Sequence, residues 1–220
     1  MSEERKKFLD SLKLPTLFLL LILIIELTKY LSNSSFVQFG ILPREALGLL
    51  GIITAPLIHS NVQHLFSNAA PLMVLGTSIY YFYPESSKKA IPIIYLSTNT
   101  LVWLFARDSY HIGASGIVYG LASFLFFSGI IKKDKRAITL TLLTAFLYGG
   151  LVIGLFPTKE EISWESHLYG FLTGLVLAIL YRKKDPFKKY DWEEEELEED
   201  VRNLKVSYKK ENPFDESGIN

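Results

Sequence analysis

The fold is decided by the stretch Leu17-Phe18-Leu19-Leu20-Leu21-Ile22-Leu23-Ile24-Ile25, in which every residue is apolar. A helix built from this stretch has no polar face to turn toward water, whereas a helix of a soluble bundle carries a polar stripe at helical spacing. Long apolar runs without the alternation of barrel strands form helices in a bilayer, because an open sheet edge cannot face lipid. The stretch therefore predicts an all-α membrane protein.

Apolar segments recur along the chain as far as residue 181. A membrane-spanning helix needs roughly 20 mostly apolar residues, with about 17 as the lower end. The six candidate spans are 15–31, 64–83, 90–106, 115–131, 137–156 and 167–181. The last is short, and we expect its helix to begin a turn earlier, near Trp164. The sequence thus predicts a polytopic bundle of six transmembrane helices within residues 15–181.

Basic residues are distributed unevenly between the two ends of these helices, although Lys+Arg and Asp+Glu are both 23 and the formal net charge is zero. Short loops rich in Lys and Arg stay in the cytoplasm. With six spans, one end of the bundle carries fifteen basic residues and the other carries four. The four are Lys29, Arg44, Arg107 and Lys159. We therefore expect a multi-pass protein of the cell (plasma) membrane with both termini in the cytoplasm.

Two charged segments flank the predicted membrane domain, a basic N-terminal segment over 1–14 and a tail over 182–220. Because the basic segment precedes an apolar run, that run could be a cleaved signal peptide. Its length, the internal Glu26 and the lack of a small-residue cleavage site favour a retained helix instead. The tail contains the acidic run 193–200, which is typical of a solvated segment.

The composition excludes several functional classes. Without cysteine there are no disulfides, thiolate metal sites or cysteine nucleophiles. The basic residues form short clusters at helix ends rather than a stripe, so no nucleic-acid partner is expected. The His-Glu-x-x-His pattern of metalloproteases is missing, and neither a metal nor a cofactor is expected. The sequence does not indicate an oligomeric state.

Polar side chains gather at the outer ends of the predicted helices. His64 and Asn68 are four residues apart and share a helix face, and Ser115 and Tyr119 do the same. With His167 at the start of the last span, these side chains would lie at a similar depth. Polar groups are costly in hydrocarbon, so a cluster of them there calls for a functional explanation.

Two glycine pairs with G-x-x-x-G spacing lie in the fourth and sixth spans. They are Gly116 with Gly120, and Gly170 with Gly174. Small residues at this spacing let two helix backbones approach closely. The pairs predict direct packing of these spans, which would bring the Ser115 hydroxyl within hydrogen-bond reach of His167. Glycines used for packing alone would not account for the serine and histidine beside them.

Three motifs resemble those of the rhomboid intramembrane serine proteases, in that family's order. They are His59-Ser60-Asn61-Val62-Gln63-His64-Leu65-Phe66-Ser67-Asn68, then Gly113-Ala114-Ser115-Gly116 followed by Tyr119, then His167-Leu168-Tyr169-Gly170. The resemblance covers residues 15–181 in the basic six-helix form. Two positions depart from the family pattern. Pro43-Arg44 stands nearest to the Trp-Arg pair of the first outer loop, and Ser166 replaces the usual alanine before the histidine.

The resemblance implies a catalytic pair. Ser115 is the expected nucleophile, and His167 is the expected general base and then general acid. Tyr119 is expected to stack on His167 and to fix its orientation. We expect a dyad without a carboxylate as third member; the carboxylates weighed for that place are Glu26 in the first helix and Asp108 and Glu165 in predicted loops.

The resemblance also implies an oxyanion site formed by the His64 and Asn68 side chains and the Ser115 backbone N–H. A His/Asn pair that only bonds a loop is the alternative. Gly113 and Gly116 are expected to support the nucleophile. His59 is expected to brace the first loop. His111 is expected to pack against a loop or to lie at the surface.

The expected partners are the lipid bilayer and single-pass transmembrane proteins, cleaved near a helix-destabilised segment, as the resemblance implies. The fifth span, with Gly149, Gly150 and Gly154 near its outer end, is the expected lateral gate. The main alternative is a non-catalytic rhomboid-like adaptor that binds client transmembrane helices. A small transporter or channel is less favoured, because it needs polar residues through the full depth of the bilayer.

Overall fold

The computed structural model describes residues 2–147, 153–157 and 162–187, and this part of the chain is largely helical. A helix occurs in each of the six predicted segments, with one short helix between the first two. The α-helices are α1 (Glu3–Ser32), α2 (Gly48–Thr54), α3 (Val62–Phe82), α4 (Pro84–Phe105), α5 (Ser115–Lys132), α6 (Lys135–Leu147) and α7 (Trp164–Leu180). Strand pairing in the described chain is limited to a single bridge between Ile41 and His111. The all-α prediction is confirmed.

The outside of the helical bundle is apolar. More than half of the surface of Leu17, Ile24, Phe66, Phe105 and Phe146 is exposed. Soluble monomers rarely expose apolar surface on this scale, and such surface marks an interaction with a membrane or a partner. By length and composition, α1 and α5 can each cross a membrane. These features fit a membrane protein, and the number of six spans stays a prediction.

The centre of the bundle is the contact between α5 and α7, where glycines allow the two backbones to touch. A Cβ atom added to Gly170 would collide with the carbonyl oxygen of Gly116, and one added to Gly174 would collide with that of Gly120. Each contact therefore requires a residue without a side chain. The predicted packing of these two helices is confirmed.

A polar cluster shielded from solvent joins α1 to the loop that precedes α3. Lys29 Nζ lies 2.9 Å from Glu26 Oε2 and also donates a hydrogen bond to the His59 carbonyl oxygen. Glu26 Oε1 accepts from the His59 backbone N–H at 2.8 Å. Charges removed from water are tolerated when they are paired and hydrogen-bonded in this way. The cluster fixes α1 to the chain segment that leads into His64.

The first outer loop is tied to the end of α4 through Arg44. Its backbone N–H donates to the Trp103 carbonyl at 2.9 Å, and its guanidinium donates to the Ala106 carbonyl at 2.7 Å and pairs with Asp108. The arginine of Pro43-Arg44 thus closes the loop onto the helix end.

Two helix starts illustrate how local signals set the boundaries. The last helix begins at Trp164, so the expected earlier start is confirmed. The first helix begins at Glu3 rather than near residue 15. The Ser2 side chain accepts a hydrogen bond from the Arg5 N–H, and two acidic residues in the first turn favour a helix N-terminus. The acidic run 193–200 lies outside the described residues.

The prediction of one continuous helix over 137–156 is wrong near its C-terminal end. Its α-helix is described over Lys135–Leu147, whereas Ile153–Leu155 form a 3-10 turn. Pro157 follows this turn, and the residue before a proline is disfavoured in the α conformation. Gly149 and Gly150, assigned to the gate, lie outside the described residues, whereas Gly154 lies in the 3-10 turn.

Candidate active site

Ser115 and His167 lie at the same end of the two packed helices. Ser115 is the first residue of α5, and His167 is in the first turn of α7. Ser115 Oγ is 2.8 Å from His167 Nε2. The predicted hydrogen-bond reach is confirmed, and the catalytic roles stay predictions. His167 is shielded from bulk solvent, with only 8% of its surface exposed, and Ser115 is partly buried.

The proton on the His167 ring can be placed from its second hydrogen bond. His167 Nδ1 is 2.8 Å from the carbonyl oxygen of Gly154. A carbonyl oxygen only accepts hydrogen bonds, so Nδ1 carries the proton. In the neutral ring Nε2 then has a free lone pair and accepts a hydrogen bond from the Ser115 hydroxyl. This is the tautomer that a general base needs, and the carbonyl holds it as a carboxylate does in a catalytic triad.

Tyr119 stacks on the His167 ring. The two ring centroids are 4.1 Å apart and the planes differ by 8°. Tyr119 is one helical turn after Ser115, so α5 supplies both the hydroxyl and the surface against which the imidazole lies. The stack leaves the ring little freedom to turn away from Ser115. The stacking predicted from the sequence is confirmed.

His64 and Asn68 lie beside the turn that leads into Ser115. A Cβ atom on Gly113 would come within 2.7 Å of His64 Nε2 and 3.8 Å of Asn68 Nδ2. The Ser60 backbone N–H donates to His64 Nδ1 at 3.4 Å. Because Nδ1 accepts this bond, the neutral ring carries its proton on Nε2, the nitrogen that faces Gly113. A hydrogen-bond donor therefore stands next to the serine turn.

Gly113 has a backbone conformation that only glycine adopts readily, with φ at 106°. Its N–H donates to the Ala55 carbonyl at 2.9 Å, which fixes the turn before α5. The helix then begins directly at Ser115. The first N–H groups of a helix have no carbonyl partner within it, and the helix dipole makes this end attractive to negative charge. The turn thus brings the start of α5 next to the His64 side chain.

His59 supports the turn that precedes Ser115, since its Nε2 accepts a hydrogen bond from the Ala114 backbone N–H at 3.4 Å. Its ring also meets the His64 ring edge-on, with centroids 5.0 Å apart. The ring is fully buried. The sequence predicted that His59 braces the first loop, whereas its ring contacts the turn at Ala114 and the His64 ring.

His111 belongs to a hydrogen-bonded chain that joins two outer loops. Its Nε2 donates to the Arg107 carbonyl at 3.1 Å, and its Nδ1 is 2.6 Å from Ser163 Oγ. Burial lowers the pKa of His111, so the ring is neutral near pH 7. Ser163 Oγ is in turn 2.6 Å from Ser166 Oγ. Loop packing is confirmed for this histidine, and Ser166 uses its hydroxyl to extend the chain into α7.

Glu165 was expected in a loop, but it lies in the first turn of α7 and is 4% exposed. One carboxylate oxygen is 3.6 Å from the guanidinium of Arg107. Neither oxygen bonds to the His167 ring, whose Nδ1 is directed to Gly154. The arrangement is therefore a dyad oriented by a main-chain carbonyl.

The contribution of Gly154 was missed by sequence reasoning, which assigned this glycine only to the flexibility of a gate. A carbonyl group is present at every residue, so no side-chain type marks its role. The available signal is steric: a Cβ atom on Gly154 would collide with the Tyr119 hydroxyl and come within 3.0 Å of His167 Nδ1. Only the folded chain shows this contact.

Comparison with known proteins places the site in a family. The family model of the Rhomboid domain matches residues 47–184, which include all three motifs in full and the whole Ser115–His167 pair. An uncharacterized protein of Mycobacterium tuberculosis is 34% identical over 172 residues, 74% of this chain and 72% of the relative. RHOMBOID-like protein 2 of Arabidopsis thaliana is 27% identical over 62% of this chain and 42% of its own.

A third relative, a putative rhomboid protein of Acanthamoeba polyphaga mimivirus, is 26% identical over 56% of this chain and 70% of its own length. The family match covers well over half of the chain and contains the serine turn, the stacked histidine and the glycine contact described above. This chain belongs to the rhomboid family.

Proposed function

We propose that this protein is an intramembrane serine endopeptidase that cleaves single-pass transmembrane proteins with the Ser115–His167 dyad. The observation that carries the proposal is the 2.8 Å contact between Ser115 Oγ and His167 Nε2, in a ring whose other nitrogen is held by the Gly154 carbonyl. A serine hydroxyl becomes nucleophilic when a base removes its proton. The family includes serine proteases, which supports the same assignment.

Each step of peptide hydrolysis has a candidate group in the structure. Ser115 Oγ attacks the substrate carbonyl while His167 Nε2 takes the hydroxyl proton, and the resulting imidazolium then gives a proton to the leaving amine. Water repeats the sequence on the acyl-enzyme. The oxyanion would lie beside Gly113, within reach of the His64 Nε2–H and of the first N–H groups of α5. The Asn68 side chain, on the same face of α3, supplies a further donor.

The membrane setting determines the substrate class. A dyad at one end of apolar helices is reached by a peptide that leaves lipid and unwinds, because a helix hides its carbonyls in hydrogen bonds. We infer six spans with both termini in the cytoplasm, and a site that opens to the opposite side, from the uneven distribution of Lys and Arg. Small residues at the scissile bond are inferred from the family resemblance.

A reconstitution assay tests the proposal. The full chain in liposomes is mixed with a labelled single-pass substrate, and the products are mapped by mass spectrometry. We expect two fragments separated at a bond within or next to the transmembrane segment, formed by the wild type and not by His167→Ala. A substrate that co-purifies with the wild type but stays intact would overturn the protease and favour the adaptor.

Loss of an oxyanion donor is expected to slow cleavage without loss of folding. His64→Ala and Asn68→Ala should each reduce kcat about 10²–10³-fold, the usual cost of removing one such donor. Ser67→Ala is the matched control, because Ser67 is an exposed residue of the same helix turn whose hydroxyl donates to the His64 carbonyl. Unchanged turnover in both His64→Ala and Asn68→Ala would remove these residues from the mechanism.

The contact of Gly154 with the dyad gives a separate prediction. Gly154→Ala is expected to lower kcat about 100-fold, because its Cβ would displace Tyr119 or His167 and a shift of about 1 Å costs that much. Tyr119→Phe keeps the stacked ring and should retain most of the activity, whereas Tyr119→Ala should not. Wild-type kcat in Gly154→Ala would show that the 3-10 turn has no part in positioning the histidine.

A further inference from the structure

An apolar groove of about 650 Å³ runs along the outside of α1. Its walls come from α1, α3 and α4, and its base is formed by the buried side chains of Ile117 and Leu121 of α5. The α1 residues Leu17, Leu20 and Ile24 line the groove and are at least half exposed, so it opens outward along the helix. The volume falls within the range of roughly 300–1,000 Å³ found for small-molecule sites.

A second cavity, of about 540 Å³, continues the groove at the N-terminal end of α1. The two cavities share Leu14 and Tyr80. The second differs from the groove in being lined by charged side chains, of which three are cationic and two anionic. The cations are Lys6, Lys7 and Lys88, and the anions are Glu3 and Asp10.

The charge balance of this second cavity favours an anion. Asp10 is already paired with Lys13 at 2.6 Å, and Lys13 does not line the cavity. The three ammonium groups therefore face two carboxylates, one of which is shared with a lysine outside the cavity. A ligand with a phosphate group would reduce the resulting repulsion among the lysines.

The length of the groove fits one leaflet of a bilayer. Residues 14–24 of α1 line it, and ten helical steps of 1.5 Å correspond to about 15 Å. This is half of the roughly 30 Å hydrocarbon core. An acyl chain that starts at the lysine-lined cavity would therefore reach the middle of the membrane along the groove.

We propose that the groove and the lysine-lined cavity form one binding site for an anionic phospholipid. One acyl chain lies along α1 between α3 and α4, and the phosphate lies among Lys6, Lys7 and Lys88. The lipid comes from the leaflet at the N-terminal end of α1, which is the predicted cytoplasmic leaflet, where anionic lipids concentrate. The site does not include the Ser115–His167 dyad and does not depend on cleavage.

Native mass spectrometry of the delipidated full chain in neutral detergent tests the site. The protein is titrated with phosphatidylglycerol or phosphatidylcholine that carry the same two 18-carbon chains, so any preference comes from the headgroup. We expect at least tenfold tighter binding of phosphatidylglycerol to the first site, and a preference that shrinks as salt is added. Equal affinity for the two lipids would overturn the proposal.

Matched variants locate the headgroup. Lys6→Gln combined with Lys88→Gln should abolish the preference, whereas Lys135→Gln combined with Lys183→Gln, which removes the same charge from exposed lysines outside the cavity, should keep it. An equal effect of both pairs would show attraction to net charge alone and would overturn the site. Both pairs replace exposed side chains, and equal thermal unfolding temperatures confirm that folding is unaffected.

A final arm separates a lipid from free phosphate. Phosphatidylglycerol with 6-carbon chains should bind more weakly than the 18-carbon form, and glycerol phosphate should not compete with it at equal concentration. If glycerol phosphate competes as well as the lipid, the cavity binds a soluble anion and the acyl-chain groove plays no part.

Discussion

Replacing Ser115 by alanine is expected to reduce cleavage of a single-pass substrate about 10⁴–10⁶-fold, the loss expected for either member of the dyad. The variant removes the oxygen that forms the acyl-enzyme. Among the described residues, no other hydroxyl forms a hydrogen bond with His167 Nε2. The substitution leaves a small space at the start of α5, so folding should be preserved. The measurement is the single-turnover rate in liposomes, compared with the wild type at equal substrate density.

Ser128→Ala is the matched control for that experiment. Ser128 is a buried serine of the same helix whose hydroxyl has no hydrogen-bond partner among the residues that the structure describes. Its removal should change neither the cleavage rate nor the unfolding temperature appreciably, because no bond is lost. Residual cleavage by Ser115→Ala near the wild-type rate, with Ser128→Ala also normal, would mean that Ser115 is not the nucleophile.

Gly170→Val is expected to destabilise the bundle by about 3 kcal/mol, through overpacking of a contact that has no space for a side chain. The first added atom already collides with the Gly116 carbonyl oxygen, which belongs to the backbone and cannot rotate away. The helices must therefore separate. Since the dyad spans this contact, activity should fall even in the molecules that stay folded. Equilibrium unfolding in mixed micelles measures the first effect, and cleavage below the unfolding transition measures the second.

Gly76→Ala provides the comparison, because Gly76 is also a helical glycine in the bundle. An added Cβ there would meet two ring atoms of Pro15 at 3.2 and 3.3 Å, a tight contact with a side chain rather than a collision with backbone. We expect a much smaller loss of stability and no specific loss of activity. Similar unfolding free energies for Gly170→Val and the wild type would contradict the role of the glycine contact.

The sequence predicts the parts of this site that depend on residue type and spacing. The glycine pairs predict the contact of α5 with α7, because only glycine allows the backbones to touch, and that contact places Ser115 next to His167. Tyr119 follows from the helical repeat, since it lies one turn below the serine. These features are local in the chain or repeat along a helix, so periodicity is enough to find them.

The features of the site that the sequence did not predict depend on backbone geometry, which no residue type indicates. The 3-10 turn at Ile153–Leu155 places a carbonyl on the histidine, although the same residues read as the end of an apolar helix. Glu165 was assigned to a loop because the last apolar segment begins at His167, whereas the earlier helix start expected near Trp164 and found in the structure places it in α7. Whether a helix crosses a membrane also depends on its surroundings, and among the helices of the described residues α1 and α5 have the length and composition that indicate a span.

The carbonyl of Gly154 has a consequence for how this site can be probed. An alanine scan deletes side chains, so it can add bulk at this position but can never delete the acceptor itself. An ester linkage between Gly154 and Leu155, introduced by chemical ligation, would weaken the oxygen as an acceptor while leaving every side chain in place. The imidazole is oriented by a main-chain atom, and no amino-acid substitution can remove that atom.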